Sequence, residues 1–223
     1  MHVTPGGVLI AVVSDGAGSA RFGGEGAALL CEHVVEALAR HIGNARPNGV
    51  DADALAFAVE QGIATARIAA EAMGAEYDAG IEAFHATLVG AVAVPRKGGL
   101  FFHIGDGAAL AVAQTGERWL ISPPSNGEYA DTTFFFTEDA WRENLRFLAV
   151  EPGYDTIFVM SDGVTELGLK GAEPFMPFFE PIGRFLAQAS REEGEKALEA
   201  TLDSEAVRER TNDDKTLVWA QMR

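Results

Sequence analysis

The sequence contains a single cysteine, Cys31, among its 223 residues. One cysteine excludes an intrachain disulfide framework and is typical of a reducing compartment, so we predict a cytoplasmic location. Cys31 lies on the apolar stripe of a predicted helix, where a free thiol behaves as a small hydrophobic group. We therefore expect Cys31 to pack in the core rather than to react.

Long hydrophobic runs and an export signal are also missing. The first residues, MHVTPGG, are not a basic segment followed by a long apolar one, so no secretory signal is predicted. The uninterrupted apolar run 8–13 is too short to cross a bilayer, and no other run comes closer. We expect no membrane partner.

Basic residues are scarce. Lys and Arg number 17 against 33 Asp and Glu, which gives a formal net charge of −16. A chain of this charge does not attract a phosphate backbone through its overall field, so nucleic acid is not an expected partner. Hydrophobic residues make up 48% of the chain, enough for a substantial core, and no linker divides it. The sequence predicts one domain over residues 1–223.

Apolar runs and glycine-containing turns predict an α+β fold. The helices are expected at 25–42, 52–73, 178–189 and 192–204, and the strands at 8–13, 86–95, 99–106, 108–114, 118–122, 132–137, 154–162 and 215–222. This order is not the regular alternation of a doubly wound sheet. It favours antiparallel sheet packed under helices.

Three predicted strands end in aspartate followed by glycine: Ser-Asp-Gly at 14–16 and at 161–163, and Gly-Asp-Gly at 105–107. A fourth acidic pair, Asp213 and Asp214, directly precedes the last strand. One such pair alone is typical of a turn. Several carboxylates gathered at one sheet edge repel each other unless a cation lies between them. The repetition therefore raises the hypothesis of a metal site.

Carboxylate ligands point to magnesium or manganese rather than zinc. The five histidines lack zinc-site spacing, and we interpret His85 and His103 as partly buried structural residues. Two such ions, typically about 3.5–4 Å apart, can activate a bridging water and hold a phosphoryl group. The sequence has no GxSxG elbow, CxxxxxR segment or GxxxxGK[ST] loop, and the glycine-rich stretch 21–27 is interpreted as helix-start packing.

The ordered series SDGAGSA…GGEGA, ATLVGAVA, FHIGDGAAL, FVMSDGVTE and NDDKTLV resembles the metal-dependent protein serine/threonine phosphatases of type 2C, and most of all their compact bacterial branch. GEYADTTFFFT at 127–137 is similar to that branch as well, and the resemblance covers residues 8–219. It implies a four-layer α-β-β-α sandwich: two antiparallel sheets flanked by helices, with a dinuclear metal site at one end. Compared with the family pattern, the sequence starts after the first strands.

The resemblance also implies roles for particular residues. Asp15 would bridge two Mg²⁺ or Mn²⁺ ions and the Gly16 carbonyl would bind one of them, while Asp162 and Asp213 would complete the other ion's ligands. Asp15, Asp162 and Asp213 are thus the implied catalytic residues, and Asp106 would serve a looser third ion. Glu166 stands where the family often has an acid that could assist that third ion. Asp214 replaces the family's usual Asn after the last ligand and is expected either to support the metal ligands from outside or to form the turn.

The implied activity is hydrolysis of phosphoserine or phosphothreonine in a protein, such as the target of a cognate kinase, by a metal-bridging water. The family's N-terminal Arg and Asn-(Glu/Gln)-Asp motif is missing, and Ala17 replaces a His that some members use as general acid, for which Arg21 is the nearest replacement in sequence. These departures support the alternative of a catalytically impaired relative that binds a phosphoprotein or another partner. A missing first strand would also expose a sheet edge through which two copies could pair as a homodimer.

Overall fold

The computed structural model describes residues 1–43, 51–114, 116–126 and 133–222. Its strands are β1 His2–Val3, β2 Leu9–Val13, β3 Leu88–Val94, β4 Gly98–Ile104, β5 Ala108–Val112, β6 Trp119–Ser122, β7 Arg146–Val150, β8 Thr156–Met160, β9 Leu169–Lys170, β10 Glu173–Pro174 and β11 Leu217–Gln221. Its α-helices are α1 Gly23–Ile42, α2 Ala52–Glu76, α3 Trp141–Asn144, α4 Asp162–Gly168, α5 Met176–Leu186, α6 Arg191–Leu202 and α7 Glu205–Arg208. One turn of 3-10 helix, Ile81–Phe84, precedes β3.

The main strands form two antiparallel sheets. The first has the order β1-β2-β3-β4-β7, and the second has the order β11-β8-β5-β6. The strands β2, β3 and β4 lie side by side: a short turn joins β3 to β4, whereas both α1 and α2 lie between β2 and β3 in the sequence. The strand β1 pairs only with Leu9 and Ile10 of β2, and pairing of this edge with a second copy stays a prediction.

Three apolar clusters separate four layers. In the first, α1 and α2 cover one face of the first sheet, with Leu30, Val34 and Ile63 among the buried side chains. The second cluster fills the space between the sheets, and the third packs the second sheet against α4, α5 and α6. The predicted α-β-β-α sandwich is confirmed. None of the helices in the described residues is long and apolar enough to cross a membrane.

One predicted strand, 132–137, is wrong over the described residues 133–137. Thr133 makes only an isolated bridge with Asn126, and the following residues form turns. The carbonyl oxygens of Phe136 and Glu138 accept hydrogen bonds of 2.8 and 2.9 Å from the Arg67 guanidinium of α2, instead of joining a strand ladder. Residue 132, and with it the part of the quoted motif at 127–132, lies outside the described residues.

A buried polar group lies between the sheets. His103 of β4 is fully buried, and its Nδ1 lies 3.1 Å from Ser122 Oγ and 3.2 Å from Arg146 Nη2. Burial, and after it the Arg146 charge, lowers the pKa of His103 to about 3. The imidazole is therefore neutral at physiological pH, and His103 is a structural residue that is more deeply buried than the sequence suggested. Cys31, partly buried, packs against the first cluster as predicted, and burial raises its pKa to about 11.

The close contact of α1 and α2 depends on glycine at position 62. A Cβ there would lie 2.6 Å from Val34 Cα and 2.9 Å from His33 O. We predict that Gly62→Ala lowers the free energy of unfolding by about 1–3 kcal/mol, because forced helix separation outweighs the better helix propensity of alanine. Gly24→Ala in α1 is the matched control, since a Cβ there meets nothing within 4 Å. Urea denaturation of both variants tests this, and a stabilised Gly62→Ala would contradict the observed packing.

Candidate metal centre

Three aspartates meet where the two sheets end. Asp15 follows β2 in the first sheet, Asp162 follows β8 in the second, and Asp213 lies before β11. One carboxylate oxygen from each lies within 4.8 Å of the others. The structure thus brings together the three residues that the sequence analysis named as catalytic.

Asp15 is held by the chain segment that leads into β3. The Asp15 amide donates to Thr87 Oγ1 at 3.1 Å, and the Thr87 amide donates to the Asp15 carbonyl at 2.9 Å. Ser14 Oγ donates to the Thr87 carbonyl at 2.6 Å. These bonds fix the backbone on both sides of the aspartate, so the carboxylate leaves the sheet edge in a defined direction.

Asp162 is fixed to the segment that carries Asp213. Ser161 Oγ accepts from the Thr216 amide at 3.0 Å and lies 3.3 Å from the Asp214 carbonyl, to which it donates. The Gly163 amide donates to Asp162 Oδ1 at 2.7 Å. A Cβ on Gly163 would lie 2.4 Å from the Asp214 carbonyl oxygen, so glycine is needed for this approach.

Asp213 is exposed and is oriented by its own turn. Its amide donates to Thr211 Oγ1 at 3.2 Å, and its Oδ1 accepts from the Asp214 amide at 3.0 Å. Lys215 Nζ donates to the Asp213 carbonyl rather than to its carboxylate, at 2.7 Å. Asp214 thus takes part in the turn through its backbone amide, which is one of the two roles that the sequence analysis expected for it.

The crowded carboxylates change each other's protonation. Burial first, and then the charge of Asp106, the hydrogen bond with Asp15 and the charges of Asp213 and Asp15 raise the pKa of Asp162 to about 8. Burial also raises the pKa of Asp15, although the hydrogen bond from Asp162 acts in the opposite direction. In the described part of the chain, no Lys, Arg or His forms an ion pair with these three carboxylates. An all-oxygen set with uncompensated negative charge fits a hard divalent cation.

The remaining candidates lie around this group. Asp106 is not one of the three clustered residues, but its charge raises the pKa of both Asp15 and Asp162, and its Oδ2 accepts from Thr133 Oγ1 at 2.5 Å. Gly16 forms a bridge with Ala86. Glu166 is exposed and lines a depression of about 480 Å³ together with Asp213.

Sequence reasoning missed the residues that hold the aspartates. Ser14, Thr87, Ser161 and Thr133 each hydrogen-bond across long sequence separations, which no local pattern reveals. The one available signal was the repeated serine in Ser-Asp-Gly: both copies use the hydroxyl to fasten the strand end to a neighbouring segment.

Comparison with known proteins identifies the family and agrees with the fold. Residues 1–203 match the family described as protein phosphatase 2C. The chain is 32% identical over 224 residues to serine/threonine-protein phosphatase 3 of Escherichia coli (strain K12). The alignment covers 96% of this chain and 85% of the relative.

Solved structures show the same fold. A bacterial serine phosphatase aligns over 99% of this chain and 88% of its own, with a TM-score of 0.65 and 15% identity. The serine/threonine phosphatase of S. agalactiae aligns over 97% of this chain and 88% of its own, with a TM-score of 0.57 and 16% identity. The four-layer sandwich is thus the fold of type 2C phosphatases. The chain belongs to the protein phosphatase 2C family of metal-dependent protein serine/threonine phosphatases.

Proposed function

We propose that this chain hydrolyses phosphoserine and phosphothreonine in proteins with the help of two Mg²⁺ or Mn²⁺ ions. The observation that carries the proposal is the group of three carboxylates whose oxygens lie within 4.8 Å of one another. A pair of such ions, when bound, supplies an activated water and offsets the negative charge of the phosphate. The substrate would be a phosphoprotein made by a serine/threonine kinase.

We assign each ligand to an ion by its position in the two sheets. Asp15 hydrogen-bonds with Asp162 and is the carboxylate we assign to both ions, with the Gly16 carbonyl beside it. Asp162 and Asp213 come from the second sheet and are assigned to the ion on that side. Asp106 is assigned to a third, looser site, because it is not one of the three clustered residues although its charge raises the pKa of both Asp15 and Asp162.

The negative charge of the chain makes bound cations necessary for the reaction. With a net charge of −16, the protein repels a phosphorylated substrate unless cations reverse the local field. The depression beside Asp213 offers room for the residues that flank the phosphorylated side chain. Its lining includes two glutamates, Glu166 and Glu209, and one arginine, Arg210.

The direct test is metal-dependent phosphate release. The full chain, treated with a chelator and then given Mn²⁺ or Mg²⁺, is expected to release phosphate from a phosphoserine peptide and from p-nitrophenyl phosphate, and to show no release in EDTA. Its melting temperature should rise with the concentration of the ion, because only the folded chain presents the site. Metal binding without hydrolysis would favour the regulatory alternative. The absence of both metal binding and hydrolysis would refute the metal centre.

A further inference from the structure

Hydrolysis of a phosphoserine ester leaves an alkoxide, which is a strong base and requires a proton as it departs. The three clustered carboxylates are not suited to this step if they hold cations, because ligands must be deprotonated. This inference rests on the proposed function and asks which other side chain at the same edge can supply that proton. Among the described histidines, His103 is sealed between the sheets, His2 lies on β1, and His33 and His41 lie on α1.

His85 lies across from the residue that follows the Asp-Gly turn. The pairing of β2 with β3 continues beyond the strands through the bridge between Gly16 and Ala86. The same register places Ala17 opposite His85, and the Ala17 amide donates to the His85 carbonyl at 2.9 Å. The segment from His85 to Thr87 is therefore a direct neighbour of the segment that carries Asp15.

The alternation of side chains puts His85 on the same face as Asp15. Leu9, Ala11 and Val13 of β2 point between the sheets, and so do Val89, Ala91 and Ala93 of β3, whereas Ala86 points toward the helices. Because successive residues of a strand alternate faces, His85 and Asp15 both continue the inner face. Diagonal neighbours on one face are about 7–8 Å apart, within reach of long side chains and of a ligand between them.

The His85 ring is held in one orientation. It stacks on Phe135 with a centroid distance of 4.7 Å and an interplanar angle of 10°, and its Nδ1 lies 2.5 Å from Thr137 Oγ1. The backbone of this segment is fixed in turn, since the Phe136 amide donates to the Ala86 carbonyl at 3.1 Å. With Nδ1 engaged by Thr137, Nε2 is the ring nitrogen that can face a substrate.

We propose that His85 contacts the substrate phosphate ester through Nε2 and gives its proton to the departing serine or threonine oxygen. In this step water forms the new P–O bond, the bond between phosphorus and the side-chain oxygen breaks, and the Nε2 proton goes to that oxygen. The products are the free hydroxyl and inorganic phosphate. The proton lost by the attacking water passes to solvent, from which His85 is protonated again.

The test compares two leaving groups in the same enzyme. A phosphoserine peptide needs the proton, whereas p-nitrophenyl phosphate departs as a weakly basic anion. For His85→Gln, kcat with the peptide should fall by a factor on the order of 10², with little change in KM, while hydrolysis of p-nitrophenyl phosphate should change little. Thr137→Val, which removes the hydroxyl that orients the ring, should shift the ratio of the two rates in the same direction by less.

His41→Gln, at the exposed end of α1, is the matched control and should leave both rates unchanged. Two results together would overturn the role of His85. The first is an equal loss of activity on both substrates in His85→Gln, whether or not poor folding causes it. The second is an unchanged ratio of the two rates in Thr137→Val. A wild-type chain that hydrolyses neither substrate would instead refute the proposed function on which the inference rests.

Discussion

Replacing Asp15 or Asp162 by asparagine should lower metal-dependent hydrolysis by a factor on the order of 10³ or more. Asparagine keeps the size of the side chain but removes the negative charge that would hold a divalent ion. Asp15 should be the more sensitive position, because it is the ligand we assign to both ions. The measurement is kcat/KM for a phosphoserine peptide at several Mn²⁺ concentrations.

The matched control for this experiment is Asp155→Asn. Asp155 lies just before β8, at the opposite end of the strand from Asp162, and its carboxylate accepts from Thr156 Oγ1 at 3.2 Å. This variant should retain wild-type activity and the rise in melting temperature with Mn²⁺. Activity that survives in both Asp15→Asn and Asp162→Asn would show that the ligand assignment is wrong.

The substitution Asp162→Asn should make the metal-free protein more stable at pH 8. Burial and neighbouring charges raise the pKa of Asp162 from 3.8 to about 8, so the folded chain holds a proton that the unfolded chain releases. The folded state therefore binds more protons, and the free energy of unfolding decreases as pH rises from about 4 to about 8. Asparagine removes this cost. Since Asp162 is only partly buried and solvent screens the charges, we expect a gain of about 1–3 kcal/mol rather than the full value of the shift.

Urea denaturation in EDTA at pH 5 and at pH 8 measures the effect. The difference between Asp162→Asn and the wild type should be larger at pH 8, and it should reverse when Mn²⁺ is added, because only the wild type gains binding free energy. A variant that is less stable than the wild type at both pH values would mean that the carboxylates do not repel each other in the folded chain. Loss of function together with gain of stability is the usual sign of a strained active site.

The strands that the sequence predicted best are those buried on both faces. Runs such as Val159 and its neighbours in β8 are continuously apolar, and helices α1 and α2 have clear helical spacing. β7 was missed because its residues are mostly half-exposed and its first residue is the charged Arg146. The wrong strand at 133–137 has strong β propensity, but the carbonyl of Phe136 and that of the next residue but one, Glu138, accept hydrogen bonds from Arg67, about 70 residues earlier.

In the site, too, local sequence predicted some features, while others depend on residues far apart in the chain. Asp-Gly at strand ends located Asp15, Asp106 and Asp162, because that pair is visible in the sequence itself. The hydrogen bonds that orient these residues join positions 73 residues apart for Ser14 and Thr87 and 55 apart for Ser161 and Thr216. The neighbourhood of His85 depends on strand register and on Phe135, so a local reading interpreted this histidine only as a structural residue.

The aspartates come from different sheets, Asp15 from the first and Asp162 and Asp213 from the second. On the proposed assignment, the ion held by Asp15, Asp162 and Asp213 would link the two halves of the sandwich, and neither half alone carries its ligands. A partly folded chain, with one sheet formed, would then be a poor competitor for Mn²⁺ or Mg²⁺. Bound ions would thus favour the fully assembled sandwich over a partly folded chain.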